Sequence, residues 1–456
     1  MKHSSTMPSL TRRSFLGKSA LAAGLMTGGS SLLAACNTNS GSTGSSTQKQ
    51  KLVVMYSESE TPHELFADFE KQNNVTIELI TYDATRLSAM LSAGTPPDVL
   101  RLYGATDVPN YVQRKLLTNL DSYFSKSSVY KTSDLEAANG AFQWNGTASG
   151  IGPRYGILKD WSLDAEVWIN TKIFDDAKVP YPSSTQPLNY NELLELGKRL
   201  TKRNGNKIEI YGLDVAWEFQ FTYNQIVHNL AQTSTSLFSS DLAKADFTQP
   251  EVLKLLQWYV DWAQAEVGPS PLTDQADTAF TLFPANRLAM VQFGYWFGGS
   301  IIEPDKNGLG SHSMLLPTPQ WGPNRKVALF AGAGAVIPKG SKNKDLAFKF
   351  MEYFTAGDLG KARVATGSGL PALKSQFSGL PVSQPFQKQA LQTVQDELPY
   401  QTTLTYSPYI TSTAMGTAIV QYLAPVIKKQ TSLEQGAQQL TNAVNMILTQ
   451  GKNQGG

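Results

Sequence analysis

The sequence predicts an α/β fold with a mainly parallel sheet, divided into two lobes. Short apolar runs that suit buried strands alternate with helix patterns along the chain. The chain has 456 residues, more than the ~250–300 that one hydrophobic core usually supports. No repeat of 20–50 residues is present, which argues against a solenoid or a propeller.

The first strands and helices follow each other within about fifty residues. Residues 51–56 form an apolar run typical of a strand that is buried on both faces. Thr61-Pro62-His63-Glu64 has the residues of a helix start, with threonine as the cap, proline first and glutamate in the first turn. Further strands are predicted at 75–80 and 98–103, with a helix at 84–93 between them.

The same alternation returns later in the chain. Strands are predicted at 167–170 and 208–214, and a helix at 189–203, where Asn189 and Glu192 have the spacing of a capping pair. A long helix is predicted from Pro250 through residue 262 and another near the C-terminus. The second half therefore repeats the strand–helix pattern of the first.

The N-terminal segment carries two export signals. Arg12 and Arg13 precede an alanine- and glycine-rich stretch that ends in Leu33-Ala34-Ala35-Cys36. Small residues before a single cysteine form a lipobox, which predicts a signal peptide over 1–36, cleavage before Cys36 and a diacylglycerol on its thiol. The paired arginines favour twin-arginine export of a folded chain, with Sec export as the alternative. Residues 37–50 have no apolar side chain and are predicted to form a flexible linker.

Composition excludes several classes of function. Cys36 is the only cysteine, so neither an internal disulfide nor a cysteine metal cluster is expected. The formal charge is +2, and four cations lie in the predicted signal, so the remaining chain carries 2 − 4 = −2. This near-neutral balance argues against nucleic acid as a partner. Beyond Cys36 no apolar run approaches the ~20 residues of a transmembrane helix.

No catalytic pattern is found. His63, His228 and His312 are widely spaced, and no zinc-protease motif, nucleophile elbow, phosphate loop or dinucleotide fingerprint occurs. The sequence therefore predicts a protein that is not an enzyme and that uses no cofactor or metal. An enzyme remains an alternative, because the two carboxylates of a glycosidase need not be close in sequence.

Aromatic residues follow several of the predicted strands. Tyr103 ends one strand, Trp217 and Phe221 follow another, and Tyr295-Trp296 follow the apolar segment 288–294. Ligands of open α/β sheets bind beyond the carboxyl ends of the strands. A flat aromatic face at such a place suits the C–H face of a sugar ring, whereas core packing is the alternative for each of these side chains.

Six segments, in order over residues 50–450, resemble motifs of one family. They are Thr95-Pro96-Pro97-Asp98-Val99-Leu100, the stretch 111–120, Val167-Trp168-Ile169-Asn170 with Ile173-Phe174, the stretch 288–296 ending in Gly294-Tyr295-Trp296, the stretch 330–344, and Gly369-Leu370-Pro371-Ala372. They resemble the extracellular solute-binding proteins of ABC transporters, in the carbohydrate-binding group that includes maltose-binding protein (family 1).

This resemblance implies a two-lobe periplasmic-binding-protein fold of type II, with the ligand cleft between the lobes. Lobe 1 would contain 51–160 and 331–367, and lobe 2 would contain 165–328 and 372–450. The chain would cross between them near 159–166, 328–332 and 366–372.

The resemblance also implies the ligand-binding residues, with Trp296 as the main stacking residue and Gly332 and Gly334 as points of close backbone approach. They are Ser57, Glu58, Tyr103, Thr106, Asp107, Asp164, Trp217, Glu218, Phe221, Trp296, Gly332, Gly334 and Tyr406. Arg101 and Lys159-Asp160-Trp161 add charge where many relatives are apolar or small. A charged sugar such as a uronate is compatible with Arg101, and a solvated arginine at a strand end is the alternative.

The expected function is a lipid-anchored, extracytoplasmic binding protein of an ABC importer. It would bind a sugar or oligosaccharide and deliver it to membrane permease subunits, as a monomer held to the membrane through Cys36. One alternative keeps the fold but changes the solute to a polyamine, a peptide or a phosphodiester; Glu58, Asp107, Asp164 and Glu218 would suit a polyamine. A tethered, secreted carbohydrate-active enzyme is the alternative from another class.

Overall fold

The computed structural model describes residues 49–57, 61, 63–217, 221–273, 278–301, 308–329 and 332–454. The predicted signal segment with its lipobox Cys36, most of the predicted linker, and the predicted site residues Glu58 and Glu218 lie outside these ranges. Within them, no helix combines the length and the apolar character that a membrane span requires.

The strands and helices have the following bounds. The strands are β1 (Gln50–Tyr56), β2 (Val75–Thr81), β3 (Val99–Tyr103), β4 (Gln143–Trp144), β5 (Ser149–Arg154), β6 (Gly156–Leu158), β7 (Val167–Asn170), β8 (Lys202–Asn204), β9 (Lys207–Ile210), β10 (Met290–Gln292), β11 (Ser313–Leu316), β12 (Val327–Ala328), β13 (Ala333–Val336) and β14 (Gln401–Thr402). The α-helices are α1 (Ala67–Asn73), α2 (Ala84–Ser92), α3 (Gly104–Gln113), α4 (Asp121–Lys126), α5 (Thr171–Ala177), α6 (Tyr190–Leu200), α7 (Phe221–Gln232), α8 (Pro250–Gln264), α9 (Ala279–Leu282), α10 (Trp296–Ile301), α11 (Lys344–Ala356), α12 (Asp358–Thr366), α13 (Pro385–Glu397), α14 (Ser412–Ile427) and α15 (Leu433–Gln454).

The first sheet has the strand order β2-β1-β3-β13-β6. β1 runs parallel to β2 and β3, as the alternation of strands and helices predicts. β13 lies antiparallel to β3 and β6. Because β13 comes from a distant part of the chain, local sequence patterns do not predict its place in this sheet.

The second sheet has the strand order β10-β7-β11, with both outer strands antiparallel to β7. The predicted strand 208–214 is shorter in the structure: β9 pairs with β8 in a hairpin, and the following residues join the second sheet by single bridges, Tyr211 to Leu288 and Asp214 to Val291. Gly212 lies between them, where an added Cβ would come within 1.8 Å of the Gly197 carbonyl oxygen. Close packing of α6 therefore interrupts this strand.

Two predicted helix starts have different outcomes. Asn189 and Glu192 form the predicted capping box of α6, but the helix ends at Leu200 because residues 202–204 pair in the hairpin. The predicted cap at Thr61 is wrong. The Thr61 hydroxyl has no hydrogen-bond partner among the described residues, the turn His63–Phe66 is a 3-10 helix, and α1 begins only at Ala67.

Helices cover the sheets with aromatic side chains. On the first sheet, Phe350 of α11 packs edge-on against Phe66 and Phe69, with ring centroids 5.2 and 5.3 Å apart, and Phe354 packs against Tyr56 at 5.1 Å. Elsewhere α13 packs on β11, and α14 and α15 pack on α8. Apolar side chains thus fill a core on each sheet.

Three segments connect the two sheets, and they overlap the predicted crossings. Trp161 and Leu370 exchange backbone hydrogen bonds of 3.1 and 2.7 Å, so the first and third segments run side by side. The Asp164 N–H donates to the Ala328 carbonyl at 3.3 Å and ties the first segment to the second. The exact limits of the two lobes remain a prediction.

Candidate ligand-binding cleft

A cleft of about 830 Å³ is lined by residues of the first sheet, by Phe293 directly after β10 of the second sheet, and by residues of the segments between the sheets. β3, β6 and β10 end at its edge, so that Tyr103, Lys159 and Phe293 reach it from the ends of these strands. Its volume falls within the range of about 300–1,000 Å³ that is typical of small-molecule sites. The position matches the rule that ligands bind beyond the carboxyl ends of strands.

One side of the cleft, which we call the aromatic wall, consists of Phe221, Phe280, Phe293 and Trp296. The Trp296 ring lies 5.2 Å from Phe293 and 6.1 Å from Phe280, with interplanar angles of 40° and 37°. Phe280 is 43% exposed and Trp296 is half-buried, whereas Phe293 is buried behind them. The aromatic wall therefore exposes parts of the flat rings of Phe280 and Trp296 to solvent, while the buried Phe293 packs against them.

A tight turn before Trp296 fixes the position of its ring. Gly294 has a φ of +63°, and an added Cβ would lie 2.6 Å from the Leu163 carbonyl oxygen. The Trp168 indole N–H donates to the Gly294 carbonyl at 2.7 Å. The Trp296 N–H donates to Ser162 Oγ at 3.3 Å. The G-x-W motif is thus a structural requirement for aiming the indole into the cleft.

Glu166 supports the same turn from the core. Its Oε2 accepts a hydrogen bond from the Tyr295 N–H at 3.1 Å, and its carbonyl accepts one from the Gly294 N–H at 3.2 Å. Burial raises the pKa of Glu166 well above its ordinary value, with the charge of Glu397 adding to the effect. A buried carboxyl group with a raised pKa therefore lies next to Trp296 of the aromatic wall.

A second group of lining residues, which we call the charged wall, consists of Arg101, Tyr103, Lys159, Asp160 and Arg363, with Arg101 and Tyr103 on β3 of the first sheet. The Arg101 guanidinium lies 4.4 Å from the Tyr103 ring centroid, and its Nη2 donates to Tyr103 Oη at 3.2 Å. Lys159 Nζ pairs with Asp160 Oδ2 at 2.9 Å. The charged wall therefore contains positively charged hydrogen-bond donors and a negatively charged hydrogen-bond acceptor.

Asp107 supports the charged wall as Glu166 supports the aromatic wall. Its Oδ2 accepts from the Tyr103 N–H at 3.1 Å and its Oδ1 from Ser412 Oγ at 3.0 Å. Burial raises the pKa of Asp107 to about 6, against the lowering effect of these hydrogen bonds and of Arg101. Asp107 therefore holds Tyr103 in place instead of facing the cleft.

Of the residues predicted to bind ligand, four line the cleft: Tyr103, Asp164, Phe221 and Trp296. Asp164 is buried at the crossing, with 3% of its surface exposed. These four residues therefore share one location, and their role in ligand binding stays a prediction.

Seven of the other predicted residues do not line the cleft: Ser57, Thr106, Asp107, Trp217, Gly332, Gly334 and Tyr406. Trp217 is 1% exposed and packs near Tyr259 and Trp262, with ring centroids 5.9 and 6.3 Å apart. Tyr406 is fully buried against Tyr223 at 5.3 Å. Both side chains are therefore part of the core in this structure, and their role in ligand binding stays a prediction.

The other predicted residues outside the cleft lining also have structural surroundings. Thr106 is buried within α3, and Ser57 lies at the end of β1 away from the cleft lining. Gly334 permits close approach to Phe142, where an added Cβ would lie 2.3 Å from the ring, and Gly332 does so with Leu158 at 2.6 Å. Their small size therefore serves strand packing, and Ala333 between them is the residue that reaches the cleft.

Sequence reasoning missed Phe280 and Arg363. Phe280 lies on the short helix α9, for which no strand-end pattern exists. Arg363 lies in the last turn of α12, where its Nη1 donates to the Phe354 carbonyl at 3.1 Å. The nearness of α12 to the Gly369-Leu370-Pro371-Ala372 motif is the one available signal for Arg363.

The described residues contain no group of histidine, cysteine, aspartate or glutamate side chains arranged to hold a metal. His228 is fully buried, and its Nε2 lies 2.8 Å from the Lys326 carbonyl oxygen. Burial lowers the pKa of His228 to about 4, which keeps the imidazole neutral. This histidine therefore has a structural role.

Three solved structures of sugar-binding proteins are similar to this chain in fold. An ABC substrate-binding protein from Listeria monocytogenes in complex with cycloalternan has a TM-score of 0.73 at 21% identity, over 88% of this chain and 99% of its own. A solute-binding protein from Thermotoga lettingae bound to α-D-tagatose has a TM-score of 0.70 at 20% identity, over 88% and 100%. The sugar-binding protein MalE from Xanthomonas citri has a TM-score of 0.66 at 19% identity, over 88% and 97%.

These matches confirm the predicted two-lobe, type II periplasmic-binding-protein fold. A comparison with curated protein sequences gives no significant match. The family model of bacterial extracellular solute-binding proteins matches residues 57–357, which is more than half of the chain. The predicted family is therefore confirmed, and this chain belongs to the bacterial extracellular solute-binding proteins.

Proposed function

We propose that the protein is the substrate-binding component of an ABC importer and that it binds a sugar or oligosaccharide in the cleft. The observation that carries the proposal is the pairing of the aromatic wall with the charged wall across one cleft. A sugar ring has an apolar C–H face and a rim of hydroxyl groups. The two walls supply a partner for each.

The aromatic wall would hold the ring face. Trp296 and Phe280 are the exposed members, so a ring placed on them removes their remaining apolar surface from water. The charged wall would bind the hydroxyl groups, because charged donors and acceptors make stronger hydrogen bonds than neutral ones. Asp164, at the crossing between the walls, would accept a further hydroxyl.

A ligand that contacts both walls can change the conformation of the protein. A ligand that contacts both walls stabilises the conformation in which the walls are close, and so shifts the population from open to closed. The closed form would be the one that docks on the permease subunits. No chemical step is needed, and the protein acts as a monomer.

Acidic sugars are the second candidate ligands. Among the described lining residues, Arg101, Lys159 and Arg363 are cationic and Asp160 and Asp164 are anionic. This excess of one cation favours a carboxylate-bearing sugar, such as a uronate, over a polyamine. Structural relatives with a bound neutral sugar, cycloalternan or tagatose, favour the neutral alternative.

The test is a thermal-shift screen of the purified protein against neutral sugars, uronates, polyamines and peptides. A ligand at 100 times its dissociation constant adds about 2.7 kcal/mol to stability, which gives a measurable shift of the midpoint. We expect a shift with sugars. A shift with polyamines or peptides alone would contradict the proposed substrate class, and release of free sugar from a glycoside would support an enzyme.

The lipid anchor is part of the proposal and has its own test. Cys36 ends the lipobox Leu33-Ala34-Ala35-Cys36, which favours attachment to the membrane outside the cytoplasm. The protein expressed in a bacterium should partition into the detergent phase of Triton X-114, and the Cys36→Ser variant into the aqueous phase. Equal partitioning of the two would contradict the anchor.

A further inference from the structure

The first sheet has an edge at the opposite end from the cleft, where its parallel strands begin. β3 starts at this edge and ends with Tyr103 at the cleft. Asn343 connects the edge, because its Oδ1 accepts from Gln50 Nε2 at 2.8 Å and its Nδ2 donates to the Lys51 carbonyl at 3.2 Å. The loop 337–344, which follows β13, therefore lies beside the start of β1.

Exposed cations surround this edge. The Lys339 N–H donates to the Leu116 carbonyl at 2.7 Å, which brings the chain just after α3 to the same loop. The cations contributed by the start of β1, by the loop and by the end of α3 are all exposed. We call them the basic face, which consists of Lys49, Lys51, Arg114, Lys115, Lys339 and Lys342.

The acidic side chains near the basic face already have partners. Asp98 is buried and accepts a hydrogen bond from the loop 337–344, and Asp345 accepts one from Tyr123 Oη at 3.0 Å. Glu78 forms an ion pair with Lys51. The other five cations of the basic face form no ion pair within the part of the chain that the structure describes. Since the whole chain carries a formal charge of only +2, these cations are a local concentration of charge.

The basic face surrounds the residue at which the predicted linker joins the folded body. Twelve residues, 37–48, separate Cys36 from Lys49. A flexible chain of this length spans roughly 20 Å on average and at most about 43 Å. A diacylglycerol on Cys36 would therefore keep the start of β1, and the basic face around it, close to the membrane surface.

We propose that the basic face binds the anionic phospholipid head groups of the membrane to which Cys36 is attached. Anionic lipids attract lysine and arginine side chains that come within a Debye length of the surface, about 8 Å at physiological salt. A flexible linker alone sets no orientation, whereas this contact would. The cleft, at the other end of the first sheet, stays free to take up its ligand. The inference rests on the lipid anchor of the proposed function and adds an orientation to it.

The test measures cosedimentation with vesicles. The full-length protein carries Cys36→Ser, so that binding does not depend on the lipid. Vesicles of phosphatidylcholine alone are compared with vesicles in which a third of the lipid is phosphatidylglycerol. The signal segment is present in every protein compared, so a difference between variants comes from the substitutions.

Two variants remove three positive charges each. The face variant carries Lys115→Gln, Lys339→Gln and Lys342→Gln. The control variant carries Lys207→Gln, Lys388→Gln and Lys428→Gln. These control lysines are also exposed and without an ion pair among the described residues, but they lie outside the basic face. Both variants should keep the wild-type midpoint of thermal unfolding and the wild-type affinity for sugar.

We expect the protein with an intact basic face to bind the anionic vesicles about tenfold more tightly than the neutral ones, and to lose this gain as salt rises. The face variant should bind the anionic vesicles about tenfold more weakly, because three cations no longer reach the lipid surface. The control variant should lose less than about threefold.

Three results would overturn the proposal. Equal losses in the face and control variants would mean that the position of the cations does not matter. Equal binding to neutral and anionic vesicles would mean that head-group charge does not matter. Release of the bound protein by inorganic phosphate at constant ionic strength would assign the basic face to a free anion. Failure of the lipid anchor is seen separately, in the Triton X-114 partitioning of the protein with Cys36 intact.

Discussion

The two walls of the cleft differ in chemistry and resemble each other in support. The described side chains of the aromatic wall are uncharged, whereas the charged wall combines arginine, lysine and aspartate. Behind each wall lies a buried carboxyl group with a raised pKa, Glu166 behind one and Asp107 behind the other. Each of them accepts a backbone N–H at or next to the residue that faces the cleft, Tyr295 and Tyr103.

Because the two walls differ in chemistry, we expect the aromatic wall to contribute mainly to the affinity for sugars and the charged wall mainly to the selection among them. Apolar contact has no preferred direction, so the aromatic wall should stabilise any sugar ring of suitable size. Charged hydrogen bonds depend on direction and distance, so the charged wall should decide which hydroxyl pattern is accepted. The predictions below test this division, beginning with the largest expected effect.

Replacement of Trp296 by alanine should weaken sugar binding by about 2 kcal/mol, or about thirtyfold, because a central aromatic carries a large share of binding energy. Titration calorimetry with a sugar that shifts the wild-type midpoint gives the affinity. Trp321→Ala is the matched control, since Trp321 is also half-buried but lies outside the cleft lining. Equal losses in the two variants would contradict the special role of the aromatic wall.

Replacement of Lys159 by methionine should lower the free energy of unfolding by about 2 kcal/mol. The Lys159 side chain is 7% exposed, so its removal leaves the Asp160 carboxylate without a close cation in a partly dry site. Urea unfolding measures the change. In the control Lys172→Met, which breaks an exposed pair with Asp176, a change below about 0.5 kcal/mol is expected. A similar small change at Lys159 would show that the charged wall has no structural role.

The contribution of Asp107, which supports the charged wall, to the stability of the folded protein should depend on pH. The folded pKa of Asp107, about 6, lies above the unfolded value, so its contribution to stability is full below pH ~4 and is lost as the pH rises through 6. Lowering the pH from 7 to 5 should therefore gain on the order of 1 kcal/mol in the wild type relative to Asp107→Asn. The comparison with the variant is needed because His228, with its lowered pKa, changes stability in the opposite direction.

Urea unfolding of both proteins at pH 5, 6 and 7 measures this difference. Parallel stability curves for the wild type and Asp107→Asn would mean that the carboxyl group does not take up a proton in this range. Such a result would mean that Asp107 is not a buried carboxyl group with a raised pKa and would contradict its comparison with Glu166.

The smallest effect is expected at the rim of the aromatic wall. Phe280 is 43% exposed, so Phe280→Ala should weaken sugar binding by about 0.7 kcal/mol, or roughly threefold, with little loss of stability. Tyr181→Ala, at 45% exposure and outside the cleft lining, should leave the affinity unchanged. A loss of sugar affinity in Phe280→Ala as large as that in Trp296→Ala would mean that the sugar ring stacks on Phe280 as closely as on Trp296.

Local sequence patterns predicted the parallel pairing of β1 with β2 and β3, and they pointed to Tyr103 and Trp296, which line the cleft. The prediction of a mainly parallel sheet is wrong for the second sheet, where both pairs are antiparallel. Tyr103 and Trp296 both follow strands whose apolar pattern is local, and the glycine before Trp296 marks the turn. Trp217 satisfies the same strand-end rule but turns into the core, because α8 provides Tyr259 and Trp262 as packing partners. The direction of a side chain after a strand depends on such distant helices.

Arg363 and Phe280 could not be predicted for a related reason. They reach the cleft from helices α12 and α9, and their place depends on how these helices lie across the crossings. Asp107 illustrates the converse case. The family resemblance implies that Asp107 binds ligand, whereas in the structure both of its carboxylate oxygens accept hydrogen bonds from within the protein, from Tyr103 and Ser412.

The most direct test of the account is a crystal structure of the protein with the sugar that produces the largest thermal shift. We expect a sugar ring with its C–H face against the Trp296 indole and its hydroxyl groups hydrogen-bonded to side chains of the charged wall. A sugar bound away from Trp296, or a ring whose hydroxyl groups avoid the charged wall, would contradict the division of roles between the two walls.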